Sequence, residues 1–150
     1  MPLFARMMYN ALVWKERQRA RRKERPARAD EGDHLDTGER GETMAYWFLR
    51  QAGYTIVARN RRARGGELDL IGWDGPVLAF IEVKTRTSGD AGRPEDAVTR
   101  EKQRRIARAA REYLHRIRMK PEAHRFDIVS VFRDPLRGFQ VRLTKDAFKA

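Results

Sequence analysis

Apolar positions recur at helical spacing from about Glu39 to Gln51, where Ala45, Phe48, Leu49 and Ala52 gather on one side and Gly53 is a natural stop. Tyr54 to Asn60 reads as a strand, and Arg61 to Gly66 as a basic, glycine-ended turn. Glu67–Trp73 and Val77–Thr85 then alternate as two strands around Asp74–Gly75, a strong hairpin signature. Ser88 to Pro94 is rich in turn formers. From about Glu95 to Arg118 the period returns to that of a helix, with Ile106, Ala110, Tyr113, Leu114 and Ile117 on one side. Pro121 ends it. Phe126 to Phe132 is a further apolar strand, Asp134 to Gly138 a turn, and Phe139 to Leu143 a short last strand. Helix, three strands, helix, two strands predicts an α/β sandwich with a mixed sheet of about five strands.

Residues 1–37 do not share this patterning. Between Lys15 and Arg28 lie eight basic residues against two acidic ones, and Asp30, Glu31, Asp33 and Asp36 follow. Pro26 interrupts any helix begun near Val13. Residues 1–37 are expected to be a basic N-terminal extension, helical near Trp14 to Lys23, followed by a solvated linker. Residues 38–150 form the domain.

Charge narrows the choice of partner. The net charge of +12 and a pI near 10.8 favour a polyanion, either nucleic acid or an anionic membrane surface. No run approaches the 18 or so apolar residues of a bilayer span. The apolar-leaning stretch Met1–Trp14 lacks both the basic start and the small-residue site of a signal peptide. A cytoplasmic nucleic-acid partner is therefore expected, and no membrane partner. With no cysteine there is no disulfide framework, zinc-thiolate site or thiol nucleophile. His34, His115 and His124 show no ligand spacing.

The chemistry concentrates between Gly65 and Thr87. Strand alternation puts Glu67 and Asp69 on one face of their strand, and Glu82 and Lys84 on one face of the next. A turn on Asp74–Gly75 sets Glu67 across from Glu82 and Asp69 across from Phe80, so the three acids and the lysine share a side. Like charges so placed destabilise a strand pair. Lys84 compensates only part of the charge, and a hard divalent ion such as magnesium fits the remainder. A solvated face neutralised by Arg86 and the Arg61–Arg64 cluster is the competing reading.

An acid, a hairpin and then Glu-x-Lys resembles the PD-(D/E)xK nuclease superfamily, with Asp69 as the first acid and Glu82 and Lys84 as the second half. Leu68 stands where the superfamily label has proline. Gly38, Glu42, Ala45, Leu49, Gly53, Asn60, Gly66–Glu67–x–Asp69–Leu70–Ile71, Phe80–x–Glu82–Val83–Lys84–x–Arg86, Val98, Lys102 and Arg125–Phe126–Asp127 look like the bacterial YraN family, over roughly Thr37 to Phe132. That family is similar in fold to archaeal Holliday junction resolvases and restriction endonucleases, a three-layer sandwich around the mixed sheet. The resemblance implies a magnesium- or manganese-dependent phosphodiesterase site. Asp69 and Glu82 would be metal ligands, with the Val83 carbonyl a third and Glu42 joining from the first helix. Lys84 would position the attacking water or, on the plainer reading, form a salt bridge. Glu42 could instead cap its helix.

Glu67 is open between holding a second ion through water and clamping Arg64. Lys102 falls on the core-facing Val98–Lys102–Ile106 row, where an isolated charge is costly. Either its stem snorkels past the core, or, as expected here, its ammonium reaches the carboxylates or a phosphate. Asp127 is expected to partner an arginine. Arg100, Arg104, Arg108, Arg111, His115 and Arg118 fall in a narrow stripe on the other side of the long helix. With Arg61, Arg62, Arg64 and Arg86 they form the expected nucleic-acid surface, reading charge and shape rather than sequence. The expected activity is an endonuclease on structured or branched DNA, with room for a homodimer. Nucleic-acid binding without turnover and a basic RNA or ribosome accessory role are the alternatives.

Overall fold

The computed structural model describes residues 2–22, 32–87, 94–134 and 138–149. In chain order they form α1 (Pro2–Arg22), α2 (Gly32–Gln51), β1 (Thr55–Ala63), β2 (Gly66–Asp74), β3 (Val77–Thr87), a 3-10 turn (Pro94–Ala97), α3 (Arg100–Arg116), β4 (Ala123–Asp134) and β5 (Gly138–Phe148). The strands make one sheet in the order β1-β2-β3-β4-β5. The β1–β2 and β2–β3 pairs are antiparallel. The chain passes from β3 to its neighbour β4 through α3, the crossover that a parallel neighbour requires, so the sheet is mixed. Leu78 to Val83 and Phe126 to Val131 are buried without a break. A strand with one wet face would alternate, so both faces of β3 and β4 are covered, as in a three-layer α/β sandwich.

Several boundaries depart from the sequence expectation. β1 continues through Ala63 because Arg61 and Arg62 pair with Leu68 and Glu67, shrinking the turn to Arg64–Gly65. β1 is an edge strand, where charged side chains and the bulge between Ile56 and Ala58 are tolerated. β5 extends past Leu143 to Phe148, because a left-handed Asp146 (φ 52°) turns the polar stretch back and Phe148 stacks on Phe126 at 5.0 Å. α3 is shorter than Glu95–Arg118. The Thr99 hydroxyl caps it by accepting from the Lys102 N–H at 3.2 Å, and Ile117 closes it. α2 begins at Gly32, and the N-terminal helix spans Pro2–Arg22 instead of starting near Trp14. Residues 32–37, expected as solvated linker, belong to α2, whereas 23–31, most of the Ser88–Pro94 loop and the 135–137 turn lie outside the described residues.

Two compact units are interleaved along the chain. The first comprises Met1–Gly53, Val83–Ala91 and Ser130–Arg142. In it α1 packs on α2 through edge-on Phe4–Trp47 and Tyr9–Phe48 contacts at 5.8 and 5.6 Å. Glu16 is buried and held by Arg40, whose Nε donates to it at 3.1 Å. Gly41 lies hard against Thr85, whose Oγ1 would stand 2.1 Å from any added Cβ, so only glycine lets α2 approach β3 this closely. The second unit comprises Tyr54–Glu82, Gly92–Val129 and Leu143–Ala150. Its core gathers Leu68, Ile71, Leu78 and Phe80 with Ile106, Ala109 and Ala110 of α3, and with Phe126, Ile128 and Phe148.

Candidate active site

The β2–β3 register differs from the expected one by two residues. Asp74 pairs with Val77, Ile71 with Phe80 and Leu70 with Ile81, so Gly75–Pro76 is the loop instead of Asp74–Gly75. Gly75 supplies the left-handed conformation (φ 59°), and Pro76, with no N–H to donate, is excluded from the ladder. A slip of two preserves which face each residue takes. The next rung therefore sets Asp69 against Glu82, in place of the expected Glu67–Glu82 and Asp69–Phe80 pairs. Glu67 stands across from Arg62 of β1.

Glu82 is only 3% exposed, and a buried carboxylate needs a cation. Lys102 supplies it, pairing its Nζ with Glu82 Oε1 from the first turn of α3. Burial alone would lower the Lys102 pKa. The Glu82 hydrogen bond and the charges of Glu82, Asp69 and Glu67 outweigh that burial and raise it above the ordinary lysine value. The contact itself is between Lys102 and Glu82, and strand alternation gives Asp69 and Glu67 the same side of the β2–β3 pair. Val98 and Ile106 on either side of Lys102 are buried, which is why its row was conspicuous in the sequence.

Asn60 of β1 lies between two pairs of the β1–β2 ladder. The Arg59–Leu70 and Arg61–Leu68 pairs bracket Asn60 and Asp69, and Asn60 holds a left-handed φ of 47°. Asparagine tolerates that conformation better than most residues.

The remaining candidates are distributed as follows. Lys84 is half-buried and follows Glu82 by two on β3, so alternation gives it Glu82's side of the strand. Val83 is buried. Glu42 is half-buried on α2 and has neighbours that engage it. Lys84, Val83, Glu42 and Arg86 belong to the first unit, whereas Glu67, Asp69, Glu82 and Lys102 belong to the second. The Arg64 N–H donates to Glu112 Oε2 at 3.2 Å, so Glu112 steadies that turn.

Arg61, Arg62, Arg64, Arg100, Arg104, Arg108, Arg111 and Arg118 are exposed, and Arg86 is half-buried. Two of them leave the expected stripe. Arg118 lies beyond the end of α3, which closes at Ile117. The Arg108 stem lies on Gly65, where an added Cβ would meet its Cδ at 2.8 Å, so this arginine also covers the β1–β2 turn.

Asp127 does partner an arginine, within a larger network. It accepts from Arg125 Nε at 2.9 Å, the Tyr54 hydroxyl at 3.0 Å and the Asp146 N–H at 2.9 Å. Arg125 also donates to Asp74 at 2.6 Å, and Lys145 donates to the same Asp74 oxygen at 2.7 Å. Burial, then the Asp127 charge, hold the Tyr54 phenol protonated well above its ordinary pKa. Hydrogen bonds from Lys145 and Arg125 lower that of Asp74.

Among the described residues no three His, Asp or Glu side chains form a ready-made metal cage. The donor chemistry of Asp69 and Glu82 suits a hard cation, since both offer carboxylate oxygens and buried Glu82 already takes a positive charge from Lys102.

Fold and cluster together define an α/β protein whose inner strands carry an acidic group neutralised from the following helix. The chain belongs to the uncharacterised protein family UPF0102, the YraN family, whose model matches residues 41–131. It is 49% identical over 121 residues to a UPF0102 protein of Koribacter versatilis, covering 79% of this chain and 83% of that relative. A UPF0102 protein of Symbiobacterium thermophilum is 50% identical over 113 residues, 75% of this chain and 96% of the relative. One of Solibacter usitatus is 54% identical over 96 residues, covering 63% of this chain and 73% of the relative. No helix among the described residues is long and apolar enough to cross a membrane.

Proposed function

We propose that this protein is a cytoplasmic, magnesium- or manganese-dependent endonuclease that hydrolyses phosphodiester bonds of structured or branched DNA. One observation carries the reading: on an inner strand of a strongly basic protein, buried Glu82 is paired with half-exposed Lys102, on the side of the β2–β3 pair that alternation also gives Asp69 and Glu67. Such a cluster is unfavourable for stability and for binding a polyanion unless a cation is part of the work. Asp69 and Glu82 would hold the ion, and the family pattern adds the Val83 carbonyl and Glu42. When bound, the ion supplies Lewis-acid polarisation of a phosphate oxygen and a hydroxide-like nucleophile at neutral pH.

The chain's own groups have separate tasks. The Lys84 ammonium, two residues along from Glu82, stabilises negative charge on the phosphate as it develops. Arg61, Arg62, Arg64, Arg86 and the exposed arginines of α3 hold backbone phosphates, which fixes position without reading bases. The branched substrate is an inference from the family's fold.

The test uses purified protein on a panel of four-way junctions, duplexes and structured RNA, with magnesium, manganese or chelator. Glu82→Gln keeps size but removes a ligand charge, so metal-dependent nicking should vanish while junction binding holds or tightens. Equal loss of both would make Glu82 a structural residue. Metal-independent retention of junctions with no nicking in the wild type would make the protein a binder.

A further inference from the structure

Lys102 is an unexpected residue at its position on α3. It is the third residue after the Thr99 cap, in the first turn, where the helix's own N–H groups concentrate positive charge. A lysine there opposes the helix dipole, and acids are preferred. Its side chain is nevertheless drawn to Glu82, and the two partners differ sharply in exposure. Glu82 is 3% exposed and cannot be left uncompensated, whereas Lys102 is 47% exposed and its head can return to water. The pair is thus asymmetric, with a buried acid and a half-exposed ammonium.

We propose that Lys102 is an exchangeable internal counter-ion, which occupies the acidic cluster until a divalent cation displaces its ammonium from Glu82. The proposal rests on the metal-site reading above and adds how that site is kept neutral before the metal arrives. Displacement costs the Lys102–Glu82 hydrogen bond and leaves the ammonium free on the open side of α3. Ammonium and divalent ion compete for one carboxylate, so the strength of the internal cation sets the affinity for the external one. Removing the internal cation must then raise metal affinity, and strengthening it must lower that affinity.

The experiment titrates manganese into the full-length protein without DNA, following free Mn2+ by electron paramagnetic resonance, for the wild type, Lys102→Met and Lys102→Arg. Methionine keeps the apolar stem and removes the charge. Its manganese affinity should rise about tenfold, equivalent to about 1.4 kcal/mol, the scale of one hydrogen bond to a charged group. Arginine's fork grips a carboxylate more firmly, so that variant should bind manganese more weakly than wild type. Thermal melts with and without manganese provide a second readout that does not depend on the metal-free variant being stable. Lys102→Met should lose melting temperature without the ion and recover most of it with saturating ion. If all three proteins bind manganese equally, exchange is wrong and the metal site stands. If wild type and Lys102→Met both bind none, the metal site itself fails and exchange fails with it.

Discussion

Glu82 and Asp127 are both buried acids of the second unit, and each is met by a basic side chain. Asp127 is fully buried, and its oxygens are engaged by Arg125, the Tyr54 hydroxyl and the Asp146 N–H. Arg125 is itself only 17% exposed and is tied on to Asp74. Glu82 meets a lysine that is nearly half exposed. One arrangement saturates its acid with partners from three places in the chain, and no group in it can leave without stranding another. The other holds its acid with a partner that can reach water. A satisfied buried network fixes a fold, whereas a buried acid held by a half-exposed cation is a place where chemistry can enter.

The sharpest way to break this contrast is to substitute Asp127. Asp127→Asn keeps the shape but removes the charge that Arg125, Tyr54 and Asp146 all address. Breaking one side of a buried pair costs about 3 kcal/mol or more. Chemical denaturation should show that loss, with manganese affinity of the remaining folded protein unchanged. A stability close to wild type, or a loss of manganese binding at full stability, would move Asp127 into the working site and erase the distinction.

A smaller effect is expected at the rim of the same network. Asp74 has its pKa lowered by hydrogen bonds from Lys145 and Arg125. A carboxyl whose folded pKa lies below its unfolded value stabilises the protein above the unfolded value, and that stabilisation is lost as pH falls through the folded one. The window is therefore acidic, beginning near the ordinary carboxyl pKa of about 4 and extending downward. Asp74→Asn should melt below wild type at pH 7, and the gap should close as pH is lowered toward 3. A gap independent of pH would show that Asp74 acts through packing and not through its charge.

These two networks were unequally legible in the sequence. Lys102 stood out because a charge on the Val98–Ile106 row breaks a 3.6-residue period, and Glu67, Asp69 and Glu82 because alternation on two adjacent strands puts them on one side. Both signals are local. Apart from the Arg125–Asp127 pair, two positions apart, the Asp127 network is assembled from contacts between residues 19 to 73 positions apart. Periodicity carries no information about such pairings, so only the arginine partner was expected, and Tyr54 and Asp74 were not. The hairpin register slipped for a related reason. Asp74–Gly75 and Gly75–Pro76 both look like turns, and the choice depends on Pro76 having no N–H for the ladder. Helix and strand identities survived throughout. Boundaries failed where polar residues belong to an element, as at Arg61–Arg62 in β1 and Thr144–Asp146 in β5.

The smallest effect concerns cations that face outward rather than inward. Arg104 and Arg111 are exposed on the stripe of α3 away from the core, whereas the Arg108 stem covers Gly65. If positive charge that can reach solvent is what this protein uses on its substrate, Arg104 and Arg111 contact phosphates and Arg108 serves partly as packing. Each phosphate contact on duplex DNA contributes about 0.9 to the slope of log affinity against log salt. Changing Arg104 and Arg111 together to Gln should flatten that slope by up to about two units, weaken binding to all sequences alike, and change stability by no more than about 0.5 kcal/mol. Changing Arg108 alone should instead lower the melting temperature, because Gly65 and the turn beneath it lose their cover. The measurement is junction affinity across a salt titration beside a thermal melt for each variant. An unchanged slope in the double variant would assign phosphate contact to the Arg61–Arg64 segment instead, leaving the α3 stripe as a solvated face.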